Sequence, residues 1–314
     1  MEATAPPFST NLLLARTRRS GAADPGVVLD DVRQEAAALA AAGYAGAELP
    51  SPFLESWRRE GSPGESFLIQ LRQTFRDQGI ADLTLHGPTF PDLETPLPDA
   101  VEQLEWHARL AADLGARCMV VHPTPHSHPH VASVSPRLLE RDIEVIQAVA
   151  DTLGDSGCRL AVENLPTYGI AYLDRLMGEA AGPAVGVCFD TGHWNVRPEW
   201  SLERVLERFG RDLVQLHLSD NDGVADQHLA PGRGDFTWTR WADSLPPGRV
   251  DWPWLLELDP VDPAGAEDFD AAWRQADRTR REAIADARRV LAGYAVGGDA
   301  VILSGGAAAE GGER

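Results

Sequence analysis

Residues 159–193 read RLAVENLPTYGIAYLDRLMGEAAGPAVGVCFDTGH. The apolar run Arg159–Glu163 is followed by a helical stretch, Ala171–Ala180, and then by a second apolar run, Ala184–Asp190. Strand, helix and strand in so short a span form a βαβ unit, whose two strands lie parallel in one sheet. Each run ends in a carboxylate, Glu163 and Asp190. Carboxylates are almost never buried after an apolar run unless something pairs with them.

The same unit recurs on both sides. Further strand candidates are Pro7–Leu14, Gly46–Leu49, Asp82–His86, Arg117–His122, Leu213–Leu218 and Trp254–Leu258, which makes eight in all. The helical stretches between and after them are Val28–Ala42, Glu65–Gln78, Ala100–Leu114, Pro136–Leu153, Leu202–Phe209, Trp238–Ser244 and a long final one over about Ala266–Gly293. The strands read as continuous apolar runs, as expected of a parallel sheet covered on both faces. Strict alternation over about 295 residues predicts an α/β protein, a (β/α)8 TIM barrel in one domain over residues 1–296. Punctuation agrees. Ser135-Pro136 and Ser201 stand where helix N-caps are expected, and Gly43, Gly115 and Gly210 follow helical runs. Pro50–Gly64 is an irregular excursion, and the Gly/Ala-rich residues 297–314 read as a flexible C-terminal tail.

Composition bounds the function. The chain has 314 residues and a net charge of −20, from 48 acidic against 28 basic residues, and every basic residue is arginine. Without lysine there is no Schiff base, no lysine base and no P-loop. The acidic field disfavours nucleic acid as a partner. No apolar run approaches the roughly 20 residues of a membrane span, and no leader peptide is read at the start. Cys118, Cys158 and Cys188 form no CxxC pair and read as buried thiols of a reduced, cytoplasmic protein.

The ligand-type residues fall at strand ends. Six successive strands stop at His86, His122, Glu163, Asp190, His217 and Glu257, at intervals of 36, 41, 27, 27 and 40 residues. In a barrel the carboxyl ends of the strands converge on one face, so these six side chains should share one bowl. Imidazole and carboxylate donors without thiolates suit zinc, manganese, iron or cobalt.

Glu163-Asn164-Leu165, the run from Gly186 through Asp190-Thr191-Gly192-His193, and the run from His217 through Asp226-Gln227-His228 resemble the xylose isomerase-like TIM-barrel superfamily. The resemblance covers about residues 8–295. That superfamily joins sugar phosphate isomerases and epimerases to apurinic endonucleases of the endonuclease IV type. The epimerase design implies one divalent ion on Glu163, Asp190, His217 and Glu257. Glu163 and Glu257 would then exchange protons as the catalytic pair, and His193 would hold a substrate oxygen. The endonuclease design implies up to three ions, with His86, His122, His193, Asp226 and His228 as further ligands. In it Glu163 bridges ions or serves as base, and a phosphoester is clamped between ions about 3.5–4 Å apart. The lysine-assisted hydride shift of true xylose isomerase is excluded.

The resulting expectation is a divalent-metal-dependent sugar or sugar phosphate isomerase or epimerase acting on a small carbohydrate. A small-molecule phosphoesterase and a metal-dependent lyase or dehydratase are the alternatives; a non-catalytic metal-binding module ranks last, since no ligand is lost. Arg233, on Pro231-Gly232-Arg233-Gly234-Asp235, is a candidate for a phosphate or carboxylate, and Trp194 for stacking on a sugar. Trp238 and Trp254 fit barrel packing better, and His107 reads as a surface or packing residue. His126, His128 and His130 read as a polar loop. Homodimerisation is compatible with the chain, though no residue pattern specifies it.

Overall fold

Eight short parallel strands close on themselves: β1 Phe8–Asn11, β2 Gly46–Leu49, β3 Asp82–His86, β4 Cys118–Val121, β5 Arg159–Glu163, β6 Val185–Asp190, β7 Leu213–Leu218 and β8 Trp254–Leu256. Every strand pairs with its neighbours in sequence, and β8 returns to β1 with Phe8 opposite Trp254 and Thr10 opposite Leu256. The architecture is therefore the (β/α)8 barrel. The computed structural model describes residues 7–20, 24–50, 57–58, 64–124, 135–180, 182–244, 254–259 and 263–291. Most of the excursion at 50–64, the three histidines at 126, 128 and 130, and the 297–314 tail lie outside them.

Ten α-helices pack outside the barrel or cross its rims among the described residues: α1 Ala15–Ser20, α2 Pro25–Ala42, α3 Glu65–Asp77, α4 Leu97–Asp113, α5 Pro136–Leu153, α6 Gly169–Ala180, α7 Thr191–Val196, α8 Leu202–Phe209, α9 Trp238–Ser244 and α10 Phe269–Val290. Their apolar faces and the outward strand residues form the main core, with Leu39, Leu71, Leu104, Ile146, Leu173 and Phe209 among its buried members. Burying that surface is the main favourable term of folding. None of these helices is long and apolar enough to cross a membrane.

Two short helices were not foreseen. The first strand was expected to run to Leu14 but stops at Asn11, because the buried Glu35 carboxylate accepts the amides of Leu13 and Leu14 at 2.7 and 2.9 Å. Leu14 takes a left-handed turn (φ 46°) and α1 follows. The second, α7, starts at the end of β6, where the Asp190 side chain caps it by accepting the His193 amide. Ser201 makes the expected cap, accepting the Arg204 amide, whereas Ser135 holds its cap position without a side-chain bond. Asp24 caps α2 instead of a start at Val28.

The barrel lumen is lined by small groups, including Cys118, Val120, Ala161, Cys188 and Val214. All three thiols are free and buried. At the amino-terminal end Arg117 reaches into the lumen, bonding Asp82 through Nε and Nη2 at 2.9 and 3.2 Å and Gln215 at 2.7 Å.

Candidate metal centre

The carboxyl ends of β5, β6, β7 and β8 bring four side chains to one point. Glu163 and Asp190 close β5 and β6, and His217 lies opposite Asp190 in the parallel register. Glu257 is one residue past β8, where its amide still bonds the Leu218 carbonyl. Glu163, Asp190 and His217 are fully buried. One donor atom from each of the four lies within 4.8 Å of the others. His217 Nδ1 is 2.9 Å from Glu257 Oε2 and 3.3 Å from Glu163 Oε1. Yet Glu163 Oε1, Asp190 Oδ2, His217 Nδ1 and Glu257 Oε2 are buried with no hydrogen-bond partner. Close atoms that are not aligned on one another face a shared centre. Buried polar atoms are paired in folded proteins, so a donor set left orphaned in this way fits a divalent cation.

Two further groups adjoin. His86, His122 and Glu163 form one, with His122 Nε2 at 3.0 Å and His86 Nε2 at 3.6 Å from Glu163 Oε2. His193, Asp226 and His228 form the other, both Nε2 atoms lying 3.1 Å from Asp226 Oδ2. Glu163 thus turns one oxygen to the four-residue cluster and the other to the histidine pair. All nine residues picked out from the sequence come together in three groups, two sharing Glu163 and the third adjoining it through His193 Nδ1, 3.3 Å from Glu163 Oε1.

The loop carrying the last group is built on Asp220. Its carboxylate is fully buried and accepts from the amides of Gly232 and Phe236 and from Trp238 Nε1, at 2.8–3.0 Å. The two glycines around Arg233 serve this packing: a Cβ on Gly234 would lie 2.3 Å from the Asn221 carbonyl oxygen. Arg233 itself turns away and pairs with Asp286 of α10, with over half of its side chain exposed. Trp194 packs edge-on against Phe236 and donates to the Trp200 carbonyl. Neither Arg233 nor Trp194 joins the converging groups. Trp238 and Trp254 are buried in the core, and His107 is buried in α4, bonded to the Gln103 carbonyl.

The electrostatics call for positive charge. Burial works against the charged form of His86, but its bond to Glu163 and the charges of Glu48, Glu163 and Glu257 outweigh this and raise the imidazole to about 9. Burial likewise opposes His228, and Asp226 raises it to about 9. Burial also pushes the Asp190 carboxyl up to about 7; His193 opposes the rise, and the charges of Glu257 and Glu163 add to it. Protons here balance the carboxylates, and a metal binding the same atoms would displace them.

Beside the four-residue cluster lies a cavity of about 340 Å³, bounded by Asn11, Glu48, His86, Thr89, His122 and Glu257. It is of the size that takes a small molecule. A depression of about 400 Å³ near Thr95 and Arg141 holds none of the converging residues, so volume alone does not locate the site. Sequence reading missed Glu48, a buried carboxylate inside an apolar strand, and Asn164, whose side chain bonds the Asp190 amide and carbonyl at 2.9 and 3.0 Å. The first carried a usable signal, an acid in a four-residue apolar run. The second stands inside the Glu163-Asn164-Leu165 motif, but its bonds to Asp190 are visible only in three dimensions.

A sequence model described as xylose isomerase-like TIM barrel matches residues 36–294. The chain belongs to the xylose isomerase-like TIM-barrel family. An uncharacterised protein of Methanocaldococcus jannaschii is 24% identical over 193 residues, covering 56% of this chain and 64% of that protein. The chain spans about half to two thirds of the length of the curated relatives it matches. Among solved members of this architecture, a D-psicose 3-epimerase with D-tagatose from Clostridium cellulolyticum H10 superposes with a TM-score of 0.69 at 17% identity, covering 91% of this chain and 99% of that one. The IolI protein with a bound zinc atom gives 0.64 at 12%, covering 92% and 99%. At such identities the likeness is one of fold.

Proposed function

We propose that this family member is a divalent-metal-dependent isomerase or epimerase of a small polyhydroxylated carbonyl compound. The observation that carries the reading is the meeting of Glu163 and Glu257 on His217 Nδ1, at 3.3 and 2.9 Å, beside a largely apolar cavity into which a few polar side chains, Glu257 among them, are set. Similar structures solved with D-fructose and D-tagatose support a sugar-like substrate. A divalent ion held by Glu163, Asp190, His217 and Glu257 would supply Lewis acidity toward a carbonyl and a neighbouring hydroxyl. Glu257, which lines the cavity, takes the proton from the carbon next to the carbonyl. Glu163, fully buried in the same cluster, returns one to the opposite face. His193 holds a substrate oxygen, its ring oriented by the 2.8 Å bond from Nδ1 to the Asn164 carbonyl.

A second reading has its own support. Glu163 divides its two oxygens between two clusters, and a third cluster stands beside them. That arrangement favours a multinuclear phosphoesterase, in which Glu163 would serve as a ligand to more than one ion and would not be free to move a proton. Two measurements separate the readings: metal content of protein purified without chelator, and NMR detection of solvent deuterium entering an aldose or ketose panel. Exchange at one carbon with one ion per chain supports the epimerase. Two to three ions without exchange, and hydrolysis of generic phosphate esters, overturn it in favour of the hydrolase.

A further inference from the structure

The histidines of the bowl do not present the same nitrogen. His193 sets Nδ1 between the Asn164 carbonyl at 2.8 Å and Glu163 Oε1 at 3.3 Å and turns Nε2 to Asp226, whereas His86 sets Nδ1 against the Gly87 carbonyl at 3.0 Å and turns Nε2 to Glu163 Oε2 at 3.6 Å. His217 is reversed: Nδ1 faces the two glutamates, and the buried Nε2 points out of the cluster without a hydrogen bond. The acceptor opposite that Nε2 is Glu48 Oε2, 3.5 Å away. Glu48 is 1% exposed on β2, and the same oxygen accepts a 3.0 Å bond from Thr84 Oγ1, its register partner on β3.

A neutral imidazole carries one proton. If Nδ1 offers its lone pair to a cation, the proton sits on Nε2, and a buried N–H needs an acceptor. A carboxylate in that place fixes the tautomer and ring orientation and makes the ligand more basic. Glu48 Oε2 is the carboxylate oxygen that stands opposite this nitrogen, at the outer edge of hydrogen-bond distance. We infer that Glu48 is a positioning residue which takes the Nε2 hydrogen bond of His217 and so commits His217 to binding metal through Nδ1. The inference rests on the metal centre proposed above and adds a residue outside its ligand set.

The test uses the full chain, stripped of metal and titrated with Co2+ alone against a chromophoric chelator. The visible spectrum is recorded, and the His217 Nε2–H is observed by NMR of histidine-labelled, zinc-loaded protein. Glu48→Ala is expected to weaken binding about 10–100-fold and to shift the visible bands. Glu48→Gln, whose amide oxygen still accepts the N–H, is expected to stay within about threefold of wild type and to keep the Nε2–H signal. Thr84→Val, which frees the Glu48 carboxylate, is expected to give a smaller loss that does not add to that of Glu48→Ala; it keeps the test alive if Glu48→Ala does not fold. Unchanged affinity and spectrum in Glu48→Ala and Thr84→Val overturn the role of Glu48. A wild-type chain that takes up no Co2+ overturns the metal centre itself, and this inference with it.

Discussion

At the amino-terminal end of the barrel, Arg117 meets Asp82 at 2.9 and 3.2 Å and Gln215 at 2.7 Å. At the carboxyl end, Glu163, Asp190, His217 and Glu257 stand within 4.8 Å of one another, and each has a buried atom with no hydrogen bond. Both ends bury polar groups in the same small lumen. At the floor, cation and acid match, and the network ties β3, β4 and β7 together. At the mouth three acids surround one imidazole, so the charge is balanced only by added protons or an added cation. Matched polar burial serves the fold, whereas unmatched convergent burial marks a place for a ligand.

This contrast can be broken experimentally. The largest effect is expected from His217→Ala. Sharing the roughly 10–16 kcal/mol of a four-ligand zinc site among its donors assigns about 3 kcal/mol or more to one of them. Competition titration should then show at least about a 100-fold loss of affinity. Unchanged affinity would mean that the four residues do not act together.

Arg117→Ala should act on the other side of the comparison. It leaves the mostly buried Asp82 without its cation, which costs about 3 kcal/mol, the low end for a broken buried pair because a quarter of Arg117 is exposed. Urea unfolding of the metal-free protein measures this, and metal affinity should not move. A variant that loses metal affinity while keeping its stability would reverse the roles assigned to the two ends.

Loading the stripped protein with zinc at about 100 times its dissociation constant should add about 2.7 kcal/mol to the unfolding free energy. At the same zinc concentration that increment should persist in Arg117→Ala and fall to about 0.4 kcal/mol or less in His217→Ala. Its presence in both variants would place the bound ion elsewhere.

The smallest effect is expected at Gly234. The added methyl of Gly234→Ala would lie 2.3 Å from the Asn221 carbonyl oxygen and 2.5 Å from Asp220 Oδ1, which forces the loop to shift at a cost of about 1–2 kcal/mol. Because Asp226 and His228 ride on that loop, the multinuclear reading expects metal to be lost at the His193–Asp226–His228 group, with the four-residue cluster unaffected. Full retention of metal at all groups would show that Asp220 does not set the loop.

Much of the barrel was legible in the chain because its signal is local. Apolar runs of four to eight residues alternate with helical stretches, a pattern that calls for a parallel sheet covered by helices, and eight such units close it into a barrel. The nine convergent residues were legible for the same reason. Six stand at strand ends, where parallel topology gathers them, and His193, Asp226 and His228 follow two of those strands by at most eleven residues. Helices α1 and α7 were not legible. Six residues carry too little periodicity; the turn into α1 is held by Glu35, more than twenty residues away, and α7 starts on the local cap of Asp190, a carboxylate that the strand-end pattern assigns to the bowl.

The sequence by itself determined the fold class, the face on which the ligand-type residues gather and the donor chemistry available there, since strand period and strand order dictate all three. Which atom each residue presents was decided only by the tertiary structure. Arg233 left the bowl because Asp286, 53 residues away, offers it a carboxylate, and Glu48 entered because closure of the barrel sets β2 across from His217. Glu163 came to face two clusters at once because β3, β4 and β7 place three histidines around its two oxygens. These are pairings between residues far apart in the chain, and no local pattern encodes the distance or direction at which such groups meet.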